Sequence, residues 1–268
     1  MIQLKTPAEI AKMREAGLVV AEGLAQMRAA VAPGVSTADL DAVAAKVLAD
    51  AGATGSFLNY HGFPAVICAS VNDEIVHGIP KPNRILREGD VISLDFGAIV
   101  DGWHGDAAIT VAVGQIAADT QRLLDVCEAS LWRGLAAARL GGRLTDISHA
   151  VEQAIRPSGF GIVQHYGGHG IGSEMHQDPH VLNYGKPGRG PKLVPGLCLA
   201  IEPMVNLGGH AARELEDGWT VVTVDGSPSA HFEHSFTLTE TGPFVLTADD
   251  GGAAKFAELG IQVGALAA

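Results

Sequence analysis

Cysteine is scarce in this sequence: three in 268 residues, at Cys68, Cys127 and Cys198, with no CxxC spacing. That argues against a disulfide-stapled secreted scaffold and for a reducing compartment. Basic residues are also short, 18 against 30 acidic, so the net charge is −12. A chain that acidic has no general attraction for nucleic acid or anionic membranes. Aromatics make up only 5%, so the core must rest on Ala, Val, Ile and Leu. No apolar run approaches bilayer length, and the opening MIQLKTPAEI has neither a signal segment nor a small-residue cleavage site. A soluble, cytoplasmic protein is expected. The 47% of hydrophobic residues suffices for a sizeable core in one domain.

Thr6-Pro7-Ala8-Glu9 reads as a capped helix start, with the helix running to about residue 30, before Pro33-Gly34. A second helix carries Leu40, Val43, Ala44, Val47 and Leu48 on one face and stops at Gly52. Strands are expected at 65–71, 91–97 and 108–114, and further helices over 120–140 and from Thr145. The main organisational signal is a repeat. Asp146, Ile147, Val151, Ile155 and Gly159 follow Asp39, Leu40, Ala44, Leu48 and Gly52 at an offset of 107, which also carries GDVISLD onto GLCLAIE and Asp95 onto Glu202. HGDAAITV (104–111) then aligns with HFEHSFTL (231–238) at an offset of 127, pairing Asp106 with Glu233. About 20 extra residues therefore lie in the second half, in the Gly/Asp-rich stretch 206–226. Two helices and a small sheet, used twice, describe an α+β protein with pseudo-twofold symmetry. Residues 1–248 form one domain with halves at about 33–114 and 141–240. The tail 249–268 has no partner in the repeat and is expected to be a loosely attached extension.

Each half contributes two carboxylates from neighbouring strands. For any one of them an ion pair or a capped turn is the commoner explanation. Four at symmetry-related positions weaken that account, and 91–111, 197–206 and 227–240 hold no Lys or Arg. Buried carboxylates need a compensating charge, and two divalent cations would neutralise four of them. Carboxylates alone suit magnesium or calcium; an added imidazole favours manganese, iron, cobalt or zinc. The segment 164–180 offers His165, His169, His176 and His180, with glycines around His169 that permit close backbone approach. Read singly, each of these and His77 is more often structural than ligating. Side-chain nucleophiles fit poorly, because there is no GxSxG elbow and Cys198 sits in an apolar run.

The blocks VNDEIVHGIP, SLDFG, DGWHGDAA, YGGHGIGSEMHQDP, AIEPM and HFEHS, in this order over residues 5–248, resemble the signature of bacterial type I methionine aminopeptidases. The resemblance implies the pita-bread fold, two related halves around a central metal site. It implies that Asp95 chelates one divalent metal (cobalt, manganese, iron or zinc), that His169 and Glu202 bind a second, and that Asp106 and Glu233 bridge both. The implied reaction removes the initiator methionine from nascent polypeptides whose second residue is small. Glu202 would act as general base and then acid, while His77 and His176 hydrogen-bond the substrate. Tyr60, Phe63, Cys68, Met175 and Trp219 match the lining of an apolar methionine pocket, though each could equally be core. Nascent N-termini are the implied partners, with a transient ribosome contact, no specific nucleic acid, no membrane and a monomeric state. The chain departs from many relatives at Ala107, where they carry Thr, and at Gln177-Asp178, where Glu often follows the substrate histidine. The stretch 208–218 is not strongly basic, which argues against electrostatic docking to a ribosome. A proline-specific aminopeptidase has a similar ligand set, usually behind an extra N-terminal domain. A catalytically dead binding module would need lost ligands, and all five are present.

Overall fold

The computed structural model describes residues 1–267. Helix α1 spans Pro7–Ala30 and opens with the expected box, the Thr6 N–H donating to Glu9 Oε2 at 2.7 Å. In α2 (Thr37–Ala51) the Ser36 N–H donates to Asp39 Oδ2 at 2.9 Å, and the helix stops at Gly52 with φ 63°. After α3 (Ala118–Ala136), α4 (Leu144–Ile155) repeats the device of α2. The Arg143 N–H donates to Asp146 Oδ2 at 2.7 Å, and Gly159, with φ 77°, ends the 3-10 turn Arg156–Ser158 that continues α4. The repeated Asp and Gly are thus a helix-starting acceptor and a left-handed stop.

Nine strands among the described residues form one antiparallel sheet. Val91–Val100 pairs along its length with Trp103–Ala112, across a two-residue turn with φ 50° at Asp101 and 81° at Gly102. Positive φ at both turn residues matches the right-handed twist of the flanking strands. Trp103–Ala112 then pairs with Glu233–Thr239, joining the halves, and Cys198–Ile201 and Gly168–Gly170 follow. In the second half both long strands are interrupted. Pro203 cannot donate to a ladder, and it separates Cys198–Ile201 from Met204–Asn206. Ser229–His231 and Glu233–Thr239 are likewise two pieces. The extra residues expand the tight Asp101–Gly102 turn of the first half into a hairpin, Ala212–Glu214 with Val221–Thr223. That hairpin crosses to pair with Glu74–Val76 of the first half.

Strand alternation divides the sheet's two faces. Ile92, Leu94, Phe96 and Ala98 pack with Val20 and Leu24 of α1 and Leu40 of α2. Leu199, Ile201, Phe236 and Leu238 pack with Leu131 of α3 and Val151 of α4. The helices therefore cover one face, and Ser93, Asp95 and Gly97 point to the other. No helix among the described residues is long and apolar enough to cross a membrane.

The tail corrects one expectation. Far from loose, it folds back as α5 (Ala253–Glu258), with Phe256 fully buried and edge-on to Trp132 of α3 at 5.7 Å. Leu259, Ile261 and Val263 pack on the same core. Arg14 of α1 ties down the start of the tail, donating to the carbonyls of Leu246 and Ala248 at 2.6 Å each and of Asp249 at 2.7 Å. Lack of a repeat partner says nothing about burial; the apolar spacing of Phe256, Leu259 and Ile261 was the relevant signal. Phe256→Ala should cost about 3–5 kcal/mol of stability and lower the unfolding midpoint by roughly 10 °C. An unchanged calorimetric midpoint would show the tail to be dispensable.

Candidate metal centre

Register brings the acids together. Cys68 lies opposite Asp95, Asp95 opposite Ala108, and Ala108 opposite Glu233, one row across four strands. Residues paired across an antiparallel ladder point to the same side, so Asp95 and Glu233 project together with only the Ala108 methyl between them. Asp106 joins them from the same face of its strand. Glu202 follows Ile201, which pairs with His234 beside Glu233. His169 enters from the next strand, opposite Ala200. Its flanking glycines are required by packing: a Cβ at Gly168 would stand 2.1 Å from the Ala200 carbonyl oxygen, and one at Gly170 2.2 Å from that of Asp178.

Asp95, Asp106, His169, Glu202 and Glu233 all line one cavity of about 270 Å³. Asp106 and Glu233 are each 2% exposed. The chemistry of these donors fits divalent metal. His169 Nδ1 donates to the Gly170 carbonyl at 2.9 Å, which leaves the Nε2 lone pair facing Glu202 Oε1 at 3.6 Å and Asp106 Oδ2 at 4.0 Å. Burial, helped by His176, lowers the His169 pKa to about 3, so the ring is neutral and cannot itself compensate the acids. Asp95 Oδ1, Asp106 Oδ1 and Glu233 Oε1 are buried without a hydrogen-bond partner. No Lys or Arg lines the cavity among the described residues. Donor atoms of Asp106, His169 and Glu233 lie within 4.8 Å of one another, as do those of Glu202, His231 and Glu233. Two overlapping triads of this kind are what a pair of cations needs.

Burial also drives the carboxyls toward the protonated form. It raises Asp95 to about 7, with Glu202 adding repulsion, and lifts Asp106, Glu202 and Glu233 well above the carboxylate range. In chelator-stripped protein, an unfolded aspartate ionises near pH 4 whereas folded Asp95 holds its proton to about 7, and Asp106, Glu202 and Glu233 are shifted in the same direction. Folding then takes up protons, and stability is lost as pH rises through that window. The shift of Asp95 alone corresponds to at most about 4 kcal/mol. The stripped protein should therefore melt roughly 10 °C lower at pH 8 than at pH 5. Mn(II) should restore more at pH 8, where it competes with fewer protons. A midpoint that rises with pH would mean these acids already have cationic partners.

The remaining expected residues meet at the same cavity. His77 stands on the turn after Glu74–Val76 with φ 61°, its ring edge-on to Tyr166 at 5.9 Å and to Trp219 at 6.4 Å. Burial, with His231 and His176 nearby, lowers its pKa to about 4. His176 Nδ1 is 2.7 Å from the Tyr60 hydroxyl, and its ring lies 4.3 Å from that of His169. Tyr60, Phe63, Cys68, Met175 and Trp219 form one apolar cluster with Phe57, Ala65 and Ile79. Trp219 comes from the inserted hairpin and packs edge-on against Phe63 at 5.0 Å. His165 and His180 are exposed residues of the cavity wall. Sequence reasoning missed Phe57 and His231. The repeat held a signal for His231, because the 127-residue offset sets it against His104.

Residues 11–240 match the family model of metallopeptidase family M24. Over 247 residues the chain is 49% identical to the methionine aminopeptidase of Clostridium acetobutylicum, an alignment covering 92% of this chain and 99% of that one. The crystal structure of methionine aminopeptidase from Thermotoga maritima superposes with a TM-score of 0.92 at 41% identity, over 93% of this chain and all of that one. A Xaa-Pro dipeptidase from Bacillus anthracis shares the fold alone, with a TM-score of 0.74 at 22% identity and 62% of its length covered. With buried acids from two duplicated halves beside one neutral imidazole, and with these likenesses over nearly its whole length, the chain belongs to the pita-bread metallopeptidases of family M24 and, among them, to the methionine aminopeptidases.

Proposed function

We propose that this protein removes the N-terminal methionine from nascent polypeptides whose second residue is small. The observation that carries the reading is a metal-competent acid cluster at the end of an apolar pocket, within one cavity. Asp95, Asp106, His169, Glu202 and Glu233 would together hold two divalent cations. Bound there, two divalent cations supply Lewis acidity toward a carbonyl and lower the pKa of water.

The chain's own groups do the rest. The pocket walled by Phe57, Phe63, Met175 and Trp219 accepts an unbranched apolar side chain and excludes water from it. The carboxyl of Glu202, half-buried at the cavity wall, takes a proton from water and delivers it to the departing amine nitrogen. His77 is neutral at working pH and offers an N–H to the peptide. The Tyr60 hydroxyl, 2.7 Å from His176 Nδ1, orients that ring. The same reading places 1–248 as one catalytic unit with halves at 33–114 and 141–240. It also places the protein in the cytoplasm, which the three buried free thiols support.

The test is a peptide pair, Met-Ala-Ser and Ala-Pro-Ser, each assayed with and without added Mn(II) or Co(II). Free methionine released from the first, only with metal, is the expected result. Alanine released from the second and no methionine from the first would replace this reading with a proline-directed one.

A further inference from the structure

We infer that His231 is itself a ligand of the dinuclear centre, a second imidazole beside His169. The inference rests on the two-metal reading of the acid cluster. His231 ends the strand Ser229–His231 and is 1% exposed, and neither of its ring nitrogens has a hydrogen-bond partner. A buried imidazole with both nitrogens idle is costly, and buried polar groups of proteins are ordinarily satisfied. Its Nε2 stands 3.5 Å from Glu202 Oε2 and 3.8 Å from Glu233 Oε2. Those distances exceed charge-assisted hydrogen bonds, which close to about 2.7–2.9 Å. They approach the spacing of atoms that share an ion: donors about 2.0–2.2 Å from one cation stand roughly 3–3.6 Å apart.

The backbone holds the ring in that place. The His231 N–H donates to Thr110 Oγ1, and the Thr110 hydroxyl donates to the His231 carbonyl, both at 2.8 Å. The duplication supplies a control within the molecule. His104 occupies the equivalent position, two residues before Asp106 as His231 is two before Glu233. His104 Nδ1 has a partner, Ser56 Oγ at 2.9 Å. The first copy of this histidine is engaged by a serine, whereas the second has no hydrogen-bond partner and turns its Nε2 toward two carboxylates that need a cation.

The competing account has His231 merely hydrogen-bonded to one of the glutamates. Stripped protein reloaded with two equivalents of Co(II) and examined by proton NMR in water separates the two. Each coordinated imidazole contributes one hyperfine-shifted N–H resonance that disappears in deuterium oxide. Two such resonances are expected in the wild type and one in His231→Gln. His231→Asn replaces the glutamine variant if the latter fails to fold. A single resonance in the wild type overturns the inference with no variant needed. So do two resonances that persist in the His231 variants, or a second one that disappears in His77→Gln or His176→Gln instead. No shifted resonance at all would overturn the two-metal reading on which the inference stands.

Discussion

Asp106→Ala should lose its metal and at least about a thousandfold in turnover, with no loss of fold in the metal-free state. The expectation follows from the position of Asp106, 2% exposed, with Oδ1 unpartnered and Oδ2 4.0 Å from His169 Nε2. Its backbone does not depend on the carboxylate: the Asp106 N–H donates to Ser235 Oγ at 3.2 Å and its carbonyl accepts from the same hydroxyl at 2.7 Å. Removing one of several mutually repelling buried acids relieves the stripped protein, so its melting temperature should hold or rise. Metal addition should raise the wild-type midpoint and move the variant's far less. Metal analysis and calorimetry on the same samples check both halves of the expectation. Full activity of the variant with metal in excess would remove Asp106 from the centre.

His77→Ala should lower kcat about 100- to 1000-fold and leave the metal content unchanged. The ring lines the cavity between Tyr166 and Trp219, and with a pKa of about 4 it stays neutral throughout the assay range. Wild type and variant should therefore show pH–rate profiles of the same shape above pH 5, displaced in height. Parallel losses of metal and of activity would make His77 a ligand instead of a substrate-side donor.

Much of this arrangement was legible in the sequence because duplication writes the same physics twice. Asp39 with Gly52 and Asp146 with Gly159 mark the start and stop of matching helices. The acids pair off because each stands on an equivalent strand. The 20-residue mismatch located the insertion, but nothing in it told that Val221–Thr223 would pair with Glu74–Val76 of the other half. Long-range strand pairing depends on register and on what remains unpaired nearby, neither of which a local pattern contains. His231 escaped notice for a different reason. An imidazole aligned with an imidazole looks like ordinary repetition, and only coordinates reveal that Ser56 engages one ring and nothing engages the other. The tail packs on the core although it has no symmetry mate, because burial of Phe256 depends on apolar spacing and not on duplication.

The hairpin 212–223 exists in one half only, yet it delivers Trp219 to a wall whose other aromatics, Phe57, Tyr60 and Phe63, belong to the opposite half. Selectivity and chemistry are consequently carried on separable parts of the chain. The acids sit on strands that a duplicated scaffold constrains twice over, whereas the indole rides on a segment with no twin to match. Changing the side chain at 219 within that segment should retune which side chain is accepted while the acids stay as they are, so new preferences can arise without rebuilding the strands that carry them.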